Sequence, residues 1–163
     1  MALKPDRFED VVITDYFMND TSVRGVIVIH STSGSGASMD DANAVVAIPS
    51  GGASGTDPAG LLLNDVVDLD LTRQHLNQHQ DETQVGGKVA LLRRGWVVTD
   101  RQTGSPTAGQ AAYYNSNGYV TPSNPMAGGS AVTSDEDYQR QRVGRFLSSP
   151  DADGYVKVEI NLH

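Results

Sequence analysis

The side chains best suited to chemistry are few and scattered. His75 and His79 stand four residues apart with Asp81 and Glu82 close behind, a spacing that on a helix sets two imidazoles beside a carboxylate and suits a metal. Leu76 occupies the place of the glutamate in a metalloprotease helix. It is also the one strong apolar anchor between Arg73 and Gln84, so that stretch reads as solvated loop. His30 is the nearest base to Ser33, Ser35, Ser38 and Ser54, and Asp15 is the carboxylate a triad would recruit, yet none of these serines lies in a Gly-x-Ser-x-Gly elbow. Gly86-Gly87-Lys88 resembles the end of a phosphate loop, but Val89 replaces the Ser or Thr and the upstream glycine is missing. Asp151-Ala152-Asp153-Gly154 opens like a calcium loop without its later bidentate acid, and with strands on both sides it reads as a hairpin turn, as does Asn117-Gly118. No catalytic residue, metal ligand or cofactor follows from these patterns.

The elements that would carry such groups are β-strands joined by turns. The 163 residues fit one domain, and 17 glycines and 7 prolines alongside 38% hydrophobic and 20% charged residues match a loop-rich all-β protein. A net charge of −8 argues against direct nucleic-acid binding. Without cysteine there is no disulfide or thiolate chemistry. No apolar run is long enough for a signal peptide or a membrane span, so the chain is expected to be made and used without secretion.

Gly86 to Thr121 is the most legible stretch. Val89, Leu91, Trp96 and Val98 favour a strand, Gly104-Ser105-Pro106 breaks the chain, and Gln110–Tyr114 with Tyr119-Val120 flank an Asn-Ser-Asn-Gly turn. Upstream, Gly25–His30 and Ala44–Ile48 read as strands, and Leu61–Leu71 as a half-exposed one. Downstream, Val143–Leu147 leads to Tyr155–Leu162, where Val156, Val158, Ile160 and Leu162 alternate with polar residues. Residues 26–163 are expected as a single β-domain with excursions at 31–43, 49–60, 73–85 and 122–137. Residues 1–25 have no helical period and carry Phe8, Ile13, Tyr16, Phe17 and Met18, apolar groups that require cover from the chain's own body or from a partner.

The arginines are the unusual feature of this acidic chain. Arg93, Arg94, Arg101, Arg140, Arg142 and Arg145 cluster around the central and closing strands, either as a solvated face or as anchors for acidic partner surfaces. Trp96, Tyr113, Tyr114 and Tyr119 are the residues that a carbohydrate-binding or host-surface-binding module would use for stacking.

The order of these pieces resembles the bacteriophage capsid cement, or head decoration, family. The pattern is the Val89–Val98 strand, Gly104-x-Pro106-x-Ala108-Gly109-x-x-x-Tyr113, the Asn117-Gly118-x-Val120 turn, the Val143–Leu147 strand and the alternating terminal strand, which together cover the C-terminal half. The resemblance implies a small β-barrel or β-tulip-like sandwich, here with an extended N-terminal arm over residues 1–25 and long Gly/Ser-rich loops. It also implies no catalysis, assembly as homotrimers, binding to the major capsid protein, and a place on the exterior of a virion assembled in the host cytoplasm. The expected capsid and subunit contacts are Phe8, Ile13, Tyr16, Phe17, Met18, Arg93, Arg94, Arg140 and Arg142. Deleting residues 2 to 20 is then expected to leave a folded domain that no longer decorates shells.

Overall fold

The computed structural model describes residues 2–31, 44–49, 57–68, 82–124 and 141–162, and the protein is all-β. Among the described residues there is no helix. The strands are β1 (Phe8–Met18), β2 (Ile27–Ser31), β3 (Val45–Ala47), β4 (Pro58–Leu62), β5 (Asp65–Val67), β6 (Glu82–Gln84), β7 (Lys88–Thr99), β8 (Ala111–Tyr114), β9 (Val120–Thr121), β10 (Arg142–Phe146) and β11 (Val156–Asn161). Nine form one sheet in the order β1-β3-β2-β4-β7-β11-β10-β8-β9, while β5 and β6 pair in parallel beside it.

Strand β7 holds this order together because it is long enough to serve several partners. Leu91 and Leu92 pair with β1 on one edge and with β4 on the other, and further along Arg94 to Trp96 pair with β1 on one edge and β11 on the other. The β1–β7 pairing therefore closes β1-β3-β2-β4-β7 into a ring of hydrogen-bonded neighbours. Past Thr99, the parallel bridge from Gln102 to Val120 brings β9 back to the same stretch of chain.

Two apolar clusters follow from these two curls. Met18, Val28, Val46, Leu62, Val89 and Leu91 belong to one, and Leu92, Val97, Tyr114, Phe146, Val158 and Ile160 to the other. Consecutive leucines on β7 thus serve different clusters, which is why the strand reads as a nearly continuous apolar run. Each fully buried side chain of this size contributes about 1.5–3 kcal/mol. On β11 the alternation expected from sequence is realised, with Val156, Val158 and Ile160 fully buried.

The N-terminal residues belong to this sheet. Beyond β1 the chain continues along the same edge of β7: Leu3 bridges Thr99, the Lys4 amide donates to the Val98 carbonyl at 2.9 Å, and the Thr99 hydroxyl donates to the Ala2 carbonyl at 3.0 Å. Leu3 and Met18 are buried in the clusters. The apolar groups that needed cover find much of it on the chain's own body.

Several boundaries differ from those expected. Pro58–Gly60 open strand β4, within the expected 49–60 excursion; proline is tolerated at a first strand position, where its missing N–H breaks no ladder. Glu82–Gln84 form β6, within the expected 73–85 excursion, because β5 offers them a parallel edge. The expected Leu61–Leu71 strand is divided: β4 is wholly buried, β5 pairs elsewhere, and Leu69–Leu71 lie outside the described residues.

Both expected turns are built by a side chain that caps the backbone. Asn115 Oδ1 accepts from the amides of Asn117 and Tyr119, and Asp151 Oδ1 accepts from those of Asp153 and Tyr155. Gly118 has φ +75°, and a Cβ there would lie 2.4 Å from the Ile27 carbonyl oxygen. Its own carbonyl accepts from the Ile27 amide at 2.7 Å, so the β8–β9 hairpin is laid directly on the start of β2.

Candidate interaction face

A groove of about 870 Å³ runs along the outer side of β1, β7 and β11. Four of the residues expected at an interface, Phe8, Ile13, Arg93 and Arg94, line it together with Trp96 and Leu147. Phe8 is 54% exposed and Leu147 41%, and Val11, also on the groove, is 41% exposed. β1 supplies apolar groups here because its register against β7 is irregular between Glu9 and Val12, so consecutive residues do not simply alternate between core and solvent.

Two of the charges in the groove are paired. Arg94 Nε lies 2.8 Å from Asp10 Oδ2, and β11 contributes Glu159. Trp96 is stacked under Lys157, whose Nζ lies 3.3 Å from the ring centroid. This contact covers one face of the indole with a cation from the neighbouring strand.

The other expected contact residues lie elsewhere. Met18 is fully buried and Phe17 nearly so, with Lys88 Nζ 5.6 Å from the Phe17 ring centroid. Tyr16 packs edge-on against His30 with ring centroids 5.3 Å apart. Arg142 is exposed on β10 opposite Tyr113, and Arg140 lies outside the described residues. Leu147, Lys157 and Glu159 were not singled out from sequence, although the alternation of β11 already placed Lys157 and Glu159 on its outward face.

The aromatic residues do not share a platform. Tyr114 is fully buried and Tyr119 packs beside the Met18 cluster, with the Arg101 guanidinium 5.7 Å from its ring centroid. Trp96 lies on β7, in the groove.

The residues considered for chemistry are not gathered either. His30 is exposed on β2, and partial burial together with the positive charge of Arg93 holds its imidazole below the ordinary value, against an opposing effect of Asp57. Asp15 pairs with Lys88 at 3.7 Å. Asp151 Oδ2 accepts from Lys4 Nζ at 2.8 Å, so this carboxylate is committed within the chain through both oxygens. His75, His79, Asp81, Ser33, Ser35, Ser38 and Ser54 lie outside the described residues. Among the described residues no three His, Cys, Asp or Glu side chains form a group able to hold a metal.

The groove thus combines exposed apolar side chains with the charged groups of Asp10, Arg93, Arg94 and Glu159. The model of the family described as structural cement protein (E217 gp24/Pam3 gp6) matches residues 9–161 of the 163. The chain belongs to this phage structural cement family. No curated protein sequence matches it significantly. The match starts inside β1 and ends with β11, so the cement fold includes the N-terminal strand as well as the C-terminal half where the resemblance was legible. A cement protein is a structural component of the virion and associates with the capsid. Among the described residues no helix is long and apolar enough to cross a membrane.

Proposed function

We propose that this protein binds the outer surface of an assembled phage capsid and stabilises the shell without catalysing a reaction, using the groove along β1, β7 and β11 as its contact surface. The observation that carries this reading is the apolar rim of Phe8, Val11 and Leu147, left exposed on a chain with ample polar residues to cover it. Arg93 and Arg94 supply polar contacts at that rim, and Arg142 extends them onto β10. Residues 1–25 contribute through Phe8 and Ile13, while Tyr16, Phe17 and Met18 support that edge from the inside.

Copies of the protein, assembled as a homotrimer on the major capsid protein, would hold neighbouring capsomers by multivalent attachment, in which modest contacts add through high effective concentration. The net charge of −8 on a chain displayed at the virion exterior would keep particles apart. Synthesis takes place in the host cytoplasm, before the shell is decorated.

Undecorated phage heads titrated with the purified protein provide the test. Saturation at a fixed ratio to the shell protein, with heads that withstand higher temperature, is the expected result. Phe8→Ser combined with Leu147→Ser should weaken binding about tenfold or more, the loss of one or two apolar contacts worth about 1–2 kcal/mol. Wild-type protein that does not co-sediment with heads would overturn the reading.

A further inference from the structure

The cations among the described residues fall into two groups. Lys4, Arg7, Arg24, Lys88, Arg94 and Arg101 are each ion-paired with a carboxylate of the same chain, and Arg93 is also engaged within it. Among the described residues, Arg142, Arg145 and Lys157 have no ion pair. These three occupy the adjacent strands β10 and β11. They share the outer side of the sheet, since the residues between them, Val143, Phe146, Val156 and Val158, fill the core.

The patch contrasts with the chain that carries it. Strands β8, β10 and β11 contain one acid, Glu159, and it sits directly across from Arg145 without forming an ion pair. On these strands three cations stand against one anion, on a protein of net charge −8, and such a local excess can orient a molecule towards an acidic surface. Arg142 and Arg145 are exposed, and their planar guanidinium groups match the geometry of carboxylates.

We infer that the outer face of β10 and β11, with Arg142, Arg145 and Lys157, docks on a carboxylate-rich segment of the shell protein. The inference rests on the capsid-binding reading above and adds the chemistry of the partner surface. Two observations favour a protein over a nucleic acid. Lys157 already covers a face of Trp96, the aromatic residue beside the patch, so that face is closed to a base. Glu159 within the patch repels phosphate, whereas a protein surface of mixed charge can place a Lys or Arg against it.

The test uses the full chain, its Arg142→Glu/Arg145→Glu variant, and Arg142→Gln/Arg145→Gln, whose circular dichroism and melting should match the wild type because both arginines are exposed. A fluorescent hexaglutamate peptide at low ionic strength should bind the wild type, weaken as NaCl is raised, and bind the charge-reversed variant at least tenfold less tightly, with the neutral variant between. On undecorated heads, half-saturation should shift in the same order and its salt dependence should flatten, whereas Phe8→Ser/Leu147→Ser keeps the wild-type salt dependence. Equal binding of all three proteins to the peptide, or no binding by the wild type, overturns the inference. Tighter binding of a twenty-residue oligothymidine than of the peptide overturns the choice of a protein partner. Salt-sensitive self-association that disappears in the charge-reversed variant overturns the shell as occupant in favour of a sister copy. Wild-type protein that binds the peptide through these arginines but ignores heads overturns the capsid-binding reading and leaves the carboxylate patch standing.

Discussion

The carbonyl oxygen of Phe8 lies where a side chain on Gly95 would begin, 2.0 Å from the position a Cβ would take. Gly95 also has φ +146°, a conformation side chains rarely adopt, so backbone freedom and missing volume are both used at the point where β1 crosses the middle of β7. Gly95→Ala must push β1 away from β7 or shift β7 itself. The expected cost is about 2–4 kcal/mol, combining backbone strain with overpacking. An unchanged urea midpoint would show that the β1–β7 seam yields without penalty.

The same seam decides what a truncation does. Removing residues 2 to 20 takes away β1, the Leu3 and Met18 contributions to the two clusters and one whole edge of β7. The truncated chain is therefore expected to lack a cooperative unfolding transition, the opposite of what the N-terminal sequence alone suggested. Met18→Ala isolates the packing contribution and should cost about 2–5 kcal/mol. A truncated protein with a sharp wild-type-like melt would separate β1 from the folding unit.

His30 gives a pH dependence. Its imidazole in the folded chain lies below the ordinary 6.5, chiefly through partial burial and then through Arg93, with Asp57 opposing. As pH falls below 6.5 the unfolded chain takes up the proton first, so stability declines down to the folded value and levels off beneath it. Unfolding free energies measured from pH 8 to pH 4.5 should show this decline in the wild type and its loss in His30→Gln. Identical profiles would remove His30 as the cause.

Asp151 responds in a lower range. Its carboxyl is held below the ordinary 3.8, first by the hydrogen bond from Lys4 and then by the Tyr155 amide. The stabilisation is present above 3.8 and is lost as pH falls through the depressed value. In Lys4→Met, a carboxyl titration followed by NMR should move up towards 3.8. A titration that does not move would mean that the turn's own amides set it.

Much of the site was written in local residue types without being readable as one place. Arg93, Arg94 and Phe8 stood out from sequence, yet nothing local says that residue 8 meets residue 96, since that pairing comes from the long antiparallel register of β1 on β7. Phe17 and Met18 were grouped with Phe8 because all are apolar, but ring closure through β3 turns them inward. That Arg142 and Arg145 have no ion pair among the described residues was also illegible. It depends on which carboxylates other strands bring near, and Asp10 reaches Arg94 while Glu159 leaves Arg145 alone.

The sequence by itself determined the all-β class, the alternation of β11 and the capped turns at Asn115 and Asp151, because these depend on neighbours within a few residues and on period-two patterning. It also singled out Gly86 to Thr121, the stretch that contains β7, through apolar strand residues set between turn residues. The tertiary structure decided that the N-terminal segment is a sheet strand, that Trp96 lies under Lys157, and that the described cations without an ion pair share one face. Those outcomes depend on register between residues far apart in sequence, where a slip of one position exchanges core for surface.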